Sequence, residues 1–412
     1  MDKHYLNSLI LSAVTATIVS SLVFFLGARF GGFALYSPNN VSAVNEREMT
    51  KMINEMMGAS RAEQLPLKTA SERKERLEPT IKDGAKEFRL SAEPIRWEYA
   101  EGKTIFAWGY NGQIPGPEIR VTEGERVRIV FTNKLPKATT IHWHGIDVPF
   151  EQDGVPGVTQ KAIKSGETYT YEFIAKPAGT RFYHTHGGVA MGDEAQQLDM
   201  GLSGAFIIEP FNYARNRPDK EYTLILDEWQ TAPMMSSKKT SSLIDQALAN
   251  GNEDGHGAIN NMVNMSMMMS GGHKMDYNLF TINGRSFPNT EPTEVKKGDR
   301  VRLRLINAGT STIHPMHLHG HQFKVVAVDG NPVPPAAQLT RNTIPIHPGE
   351  TYDIEFVANN PGIWLFHCHE LHHADGGMIV PVVYEGFSLS AVTEPEKKGS
   401  LPSGEHRMPM DQ

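Results

Sequence analysis

The chain reads as an all-β protein made of two repeated sandwich domains, and three observations lead there. Apolar side chains alternate with polar ones at a period of two: Val127, Ile129 and Phe131 interleave with Arg126, Arg128 and Val130, and Val301, Leu303 and Leu305 interleave with Arg300, Arg302 and Arg304. Such runs, bounded by Gly, Pro and Asn turns, mark strands with one buried face. Blocks of sequence recur in the same order and at similar spacing. Sustained helical periodicity is confined to residues 45–80 and Ser241–Ala249.

The recurrence sets the domain boundaries. Gly124-Glu125-Arg126-Val127-Arg128-Ile129 returns as Gly298-Asp299-Arg300-Val301-Arg302-Leu303, 174 positions later. His142 and His144 return as His317 and His319 at an offset of 175. Gly166-Glu167-Thr168-Tyr169 returns as Gly349-Glu350-Thr351-Tyr352, and His184 and His186 as His367 and His369, all at 183. Two homologous domains follow, 84–212 and 220–387, each of a size that suits one sandwich.

The flanking segments differ in kind. Tyr5 to Ala28 carries no formal charge and is long enough to cross a bilayer as a helix. Residues 1–30 are therefore expected to be an uncleaved anchor, with a cleaved signal segment as the alternative, since Val41-Ser42-Ala43 has a small-x-small form. Either reading places the remainder in the periplasm or outside the cytoplasm, anchored to the inner membrane in the first case. Residues 31–83 form a stalk, with Met49, Met52, Met56 and Met57 at helical spacing. Residues 231–276 form a polar insertion in the second domain, with Met262, Met265, Met267, Met268, Met269 and Met275. Its thioethers are either gap-fillers against the sandwich or collectors of cuprous ion, which soft sulfur selects. Residues 388–412 form a loose tail.

Composition excludes several classes. The chain of 412 residues has 40 basic and 47 acidic side chains, for a net charge of −7, and no long basic run, which argues against a nucleic-acid partner. Its single cysteine, Cys368, rules out an intrachain disulfide framework and a Cys-rich zinc module. The unusual counts are 17 His and 19 Met.

Ten of those histidines fall in four clusters: His142-Trp143-His144, His184-Thr185-His186, His314-Pro315-Met316-His317-Leu318-His319, and His367-Cys368-His369 followed by His373. An isolated His is read as a packed or surface residue, and His4, His256, His273, His347 and His406 are so assigned. Pairs at i and i+2 are different, because alternate side chains of a strand share a face and aim two imidazoles at one place. Four such pairs, matched across the repeat, make eight imidazoles. Bound metal explains such a gathering of polar rings, and packing does not. The same alternation turns Cys368 to the face opposite His367 and His369. Cys368, His373 and Met378 follow a C-x4-H-x4-M spacing, and His314 supplies a second imidazole. Two His, one thiolate and a weak thioether describe a blue-copper electron-transfer site. The repeat offers an internal control. The first-domain positions matching His314, Cys368, His373 and Met378 are Thr139, Thr185, Ala190 and Ala195, none of which is a soft copper ligand. One blue copper per chain is expected.

On these clusters the sequence resembles the multicopper oxidases over about residues 90–385, specifically the two-domain, laccase-like type with its mononuclear copper in the second domain. The resemblance implies cupredoxin-like Greek-key sandwiches and four coppers per chain. Type 1 copper would be held by His314, Cys368, His373 and Met378, and type 2 by His142 and His317. The type 3 ions would take His144, His184 and His369 on one, and His186, His319 and His367 on the other. Asp153, in Gln152-Asp153-Gly154, matches the acid beside the trinuclear cluster and would orient ligands and deliver protons. The acid that follows the last type 1 histidine in some relatives is here Ala374, with Asp375 and Glu370 as candidate replacements. Two-domain members assemble as head-to-tail homotrimers with trinuclear sites between subunits, and the same is expected here. The implied reaction couples one-electron oxidation of a phenolic or aromatic donor, Cu(I) or Mn(II), to four-electron reduction of O2, with copper homeostasis as one setting. The rivals are a periplasmic copper-binding or electron-transfer protein, which leaves the eight imidazoles unexplained, and a copper nitrite reductase, which needs only type 1 and type 2 copper.

Overall fold

The computed structural model describes residues 65–188, 192–231 and 277–389. The anchor segment 1–30, most of the stalk, the Met-rich stretch 262–275 and the tail beyond 389 lie outside the described residues. Among those described, no helix is long and apolar enough to cross a membrane.

Each domain is a pair of facing sheets. In the first, β1 (Ala85–Ala100) pairs with β2 (Lys103–Tyr110) and runs parallel to β4 (Arg126–Asn133), which pairs with β6 (Thr168–Ile174). The facing sheet runs β3 (Gly116–Thr122), β8 (Ser203–Glu209), β7 (Gly179–Thr185), β5 (Ile141–His144). In the second domain one sheet contains β10 (Leu279–Ile282), β9 (Lys220–Trp229), β12 (Arg300–Asn307), β16 (Thr351–Val357) and β14 (Phe323–Val328), in that order. Its partner runs β11 (Thr293–Val295), β18 (Ile379–Tyr384), β17 (Ile363–Cys368), β13 (His314–Leu318), β15 (Thr343–Ile346). Each pair of sheets closes on its own core. Phe88, Ile129, Phe131, Trp143 and Phe206 fill the first, and Val301, Leu303, Leu318, Ile354 and Phe366 the second. Complete burial of such a side chain contributes about 1.5–3 kcal/mol.

The sequence offsets of the repeat are visible as strand register. In the first domain Ile141 pairs with Thr185 and His142 with His184 across β5 and β7. In the second, Met316 pairs with Cys368 and His317 with His367 across β13 and β17. The repeat therefore conserves which residues stand opposite one another. A slip of one residue in either strand would turn its imidazoles to the other face.

The two domains share an apolar and ionic seam. Phe182, Ala205 and Ile207 of the first form one buried cluster with Ile225, Ile306 and Ala308 of the second. Beside it, buried Arg304 donates to Thr180, Asp353 and Glu221 at 2.7–2.9 Å. Removing one partner of such a buried pair strands the other charge, at a cost of about 3–5 kcal/mol.

Candidate metal centres

Strand β17 delivers Cys368 to one side and His367 to the other, as alternation demands. Cys368 Sγ lies 3.9 Å from His314 Nδ1 and 3.5 Å from His373 Nδ1, and the two nitrogens are 3.2 Å apart. Metal–N and metal–S bonds of about 2.0–2.3 Å place neighbouring donors about 3–4 Å apart, so this triangle fits a single ion. Met378 is fully buried in the same apolar cluster as Cys368, and the Cys368 N–H donates to the Met378 carbonyl at 3.1 Å. The short helix α2 (Leu371–Asp375) carries His373 inward. Glu370 caps it by accepting from the His373 N–H at 2.9 Å through Oε2, and the same oxygen lies 3.2 Å from His373 Nε2. Phe280 stacks on the His373 ring at 4.1 Å. Burial, with His373 alongside, lowers the His314 pKa to about 3. Burial also pushes the metal-free Cys368 thiol up to about 12.

The remaining eight imidazoles form two quartets, one per domain. In the first, His142 sits 5.7 Å from His144, 5.3 Å from His184 and 5.8 Å from His186 between ring centroids. In the second, His317 sits 4.8 Å from His319, 5.7 Å from His367 and 5.5 Å from His369. Each quartet contains one pinched pair of nitrogens: His144 Nδ1 and His184 Nε2 at 3.3 Å, and His319 Nε2 and His367 Nε2 at 2.9 Å. Among the described residues, every contact between these eight rings joins rings of one domain. The quartets are open, since His142, His144, His186, His317 and His319 are only half-buried and His369 is exposed.

Backbone carbonyls set the tautomers. A carbonyl oxygen only accepts, so the ring nitrogen facing it carries the proton. His142 Nδ1 donates to the Asp153 carbonyl at 2.8 Å, His184 Nδ1 to Thr185 at 2.7 Å, His317 Nδ1 to Asn342 at 2.8 Å and His367 Nδ1 to Cys368 at 2.8 Å. All four are thereby left with a lone pair on Nε2, the atom a metal needs. The His367 bond also returns to the backbone of the thiolate residue. Burial and the neighbouring imidazoles lower His184 to about 3 and His144 to about 4, so both are neutral at pH 7.

Asp153 reaches His142 through its main chain first, and its Oδ1 follows at 3.4 Å. Gly154 makes that approach possible. It adopts φ +87°, and a Cβ there would collide with the Ile141 carbonyl. Glu370 serves His373, and the exposed Asp375 has no contact with either quartet. Three further residues escaped the sequence reading. Glu194 in helix α1 (Asp193–Asp199) has Oε2 3.4 Å from His186 Nδ1. His321 is buried, donates to the His319 carbonyl at 3.0 Å and meets the Tyr384 hydroxyl at 2.6 Å. It continues the alternate spacing of His317 and His319, a signal that was available. Glu228, next to last in strand β9, has its carboxylate beside His314. Its Oε1 accepts from the N–H groups of Thr310, Ser311 and Thr312 at 2.8–3.3 Å. Two adjacent acids, Asp227 and Glu228, at the end of a buried apolar strand were its only trace in the sequence.

Comparison with known proteins agrees with this donor set. Family models described as multicopper oxidase match residues 91–212 and 260–386. A blue copper oxidase from Nitrosomonas europaea superposes with a TM-score of 0.59 at 35 % identity, over 73 % of this chain and 86 % of that one. A laccase of Oryza sativa subsp. japonica is 32 % identical over 61 % of this chain and 38 % of its own length. A probable nitrite reductase–hydroxylamine oxidoreductase fusion protein of Kuenenia stuttgartiensis is 32 % identical over 80 % of this chain and 35 % of its own. The chain thus spans little more than a third of the length of these two curated relatives. Two matched family models, near-complete coverage of a solved oxidase and a donor set that fits one type 1 ion beside two imidazole quartets lead to one conclusion: the chain belongs to the multicopper oxidase family.

Proposed function

We propose that this protein is an oxidase that takes electrons singly from a small reducing substrate, a phenol or aromatic amine or Cu(I), and uses four of them to reduce O2 to water. The observation that carries this reading is the arrangement around β17, where one strand sends Cys368 to the type 1 donors and the adjacent His367 to a quartet. The His367 Nδ1–H to Cys368 carbonyl bond ties the two sides together. Copper, once bound, supplies the one-electron steps and the binding of oxygen. The chain's own residues do the rest. His373 sits under Phe280 on the short helix, nearest the surface of the type 1 site, and is the edge through which a donor makes contact. Asp153 holds His142 and stands ready to pass a proton toward the oxygen site.

The ligand roles follow the pinched pairs. His314, Cys368, His373 and Met378 would hold type 1 copper, and His142 with His317 would hold type 2. His144 and His184 need one further imidazole, assigned to His369; His319 and His367 need another, assigned to His186. Because the quartets do not touch within the chain, each is completed by a second copy, and a closed head-to-tail homotrimer satisfies all of them. The apolar segment Tyr5–Ala28 supports an extracytoplasmic location with a membrane anchor.

Full copper loading should produce an intense visible thiolate-to-copper band, with oxygen consumed at one molecule per four electrons supplied. A single copper per chain without oxygen-dependent turnover would instead indicate an electron carrier. The similarity to a probable nitrite reductase fusion protein makes nitrite the necessary control. Nitrite turnover exceeding oxygen turnover would reverse the assignment. Two complete quartets argue against it, because type 1 and type 2 copper alone leave most of those rings without a task.

A further inference from the structure

Glu228 is among the most enclosed charged groups in the chain, with its side chain fully buried, and its two oxygens are treated very differently. Oε1 is crowded by the N–H groups of Thr310, Ser311 and Thr312 and by the Ser311 hydroxyl. Oε2 has no hydrogen-bond partner at all. A buried carboxylate oxygen without a partner forfeits about 1–3 kcal/mol or more, so its retention calls for an explanation. The group facing it is His314 Nε2 at 3.7 Å, on an imidazole that is itself fully buried.

The opposite edge of His314 decides what Nε2 must be. Nδ1 points at His373 Nδ1 and Cys368 Sγ, so Nδ1 is the metal-binding atom and Nε2 carries the proton. In four of the quartet rings, His142, His184, His317 and His367, Nδ1 donates to a backbone carbonyl. His314 has no such carbonyl among its contacts. The acceptors beside its Nε2 are Thr312 Oγ1 at 3.4 Å and Glu228 Oε2 at 3.7 Å. Every group hydrogen-bonded to the Glu228 carboxylate is a donor to Oε1, which leaves Oε2 as an open acceptor facing the His314 N–H.

Resting on the type 1 site proposed above, we propose that Glu228 is the positioning residue for His314: its Oε2 accepts the Nε2 proton, which leaves the Nδ1 lone pair facing Cys368 and His373, and its charge holds the type 1 site at a lower reduction potential than an uncharged side chain of the same shape would. A negative charge beside the ligand stabilises the oxidised, more positive state of the site. The same carboxylate pins the 310–312 loop through Oε1, so loop and ligand are set by one side chain. Thr310 Oγ1 in turn donates to Asp199 of the first domain at 2.8 Å, which ties this loop across the domain seam.

The test uses the copper-loaded full-length protein and follows the midpoint potential of the visible band by redox titration, with the electron-spin-resonance signal of the cupric site as a second readout. Glu228→Gln keeps an amide oxygen for the three N–H groups but opposes an NH2 to the imidazole N–H. Its midpoint should rise and its cupric signal change. Glu228→Asp, which keeps the charge, should lie nearer the unsubstituted value. Thr312→Val removes the competing acceptor and should leave the midpoint in place. An unmoved midpoint in Glu228→Gln overturns the proposal. So does a shift in Thr312→Val as large as that in Glu228→Gln. Should Glu228→Gln fail to fold, Thr312→Val still decides, because a displaced midpoint there makes Thr312 the partner of Nε2. Absence of a visible band in the unsubstituted protein is a separate result and counts against the oxidase reading itself.

Discussion

The second domain's type 1 pocket and the matching place in the first domain share a backbone and differ in what fills it. Met316 opposite Cys368 corresponds to Ile141 opposite Thr185, and each strand pair carries its imidazoles on the same side. Where His314 and Cys368 offer metal donors, Thr139 and Thr185 are fully buried with their hydroxyls 3.0 Å apart. Thr185 also donates to Gln197 Oε1 at 2.9 Å and accepts from the Gly187 N–H at 2.9 Å, and Gln197 Nε2 donates to the Ala138 carbonyl. Where the second domain has soft-metal donors, the first thus has a satisfied hydrogen-bond plug beside its own quartet. The sandwich supplies positions, and the side chains placed there decide whether a metal binds.

The most severe way to break this contrast is Cys368→Ser, which makes the second pocket resemble the first. It should abolish the visible band and lower oxygen uptake by more than the roughly 10–100-fold that loss of an outer-shell partner costs. Stopped-flow reduction and oxygen-electrode measurements would check it. Gly154→Ala separates the two kinds of site. Its Cβ forces the Asp153 carbonyl away from His142, so turnover should fall about 10–100-fold while the visible band persists.

Acid should act on both domains of the metal-free protein together. His144, His184 and His314 have folded pKa values of about 4, 3 and 3 against an unfolded value near 6.5. Between those limits the unfolded chain binds protons that the folded chain does not, so stability falls as pH drops below about 6.5. Urea unfolding at pH 7 and pH 5 should differ by on the order of 1–2 kcal/mol for each buried ring, with lower stability at pH 5. Equal stability would mean that the rings are already charged or solvated. The smallest effect is expected from Thr185→Val. It removes all three hydrogen bonds of the Thr185 hydroxyl, and unfolding free energy should fall by about 1–3 kcal/mol with the visible band unaltered.

How much of this was readable from sequence depends on the range of each interaction. The offsets of 175 and 183 are register written along the chain, so the pairing of His142 with His184 and of His317 with His367 could be anticipated. Alternation along β17 likewise placed Cys368 and His367 on opposite sides. The tautomers could not be read, because they depend on carbonyls of Asp153 and Asn342 that reach the rings through turns. Glu228 could not be paired with His314 either, since 86 residues separate them and only the packed sandwich closes that gap. The Arg304 seam has the same character, drawing Thr180, Glu221 and Asp353 from distant strands. Expectations for the membrane segment and the methionine cluster fall on residues outside those described.

The central claim is that one oxygen-reducing site draws on two copies of the chain, and complementation tests it most directly. One variant carries His142→Ala with His144→Ala, the other His319→Ala with His367→Ala, and each alone should be inactive. Random co-assembly of equal amounts into closed trimers leaves about a quarter of the interfaces with both quartets whole, so roughly a quarter of full activity should return. Mixed assemblies that form but remain inactive would contradict the account.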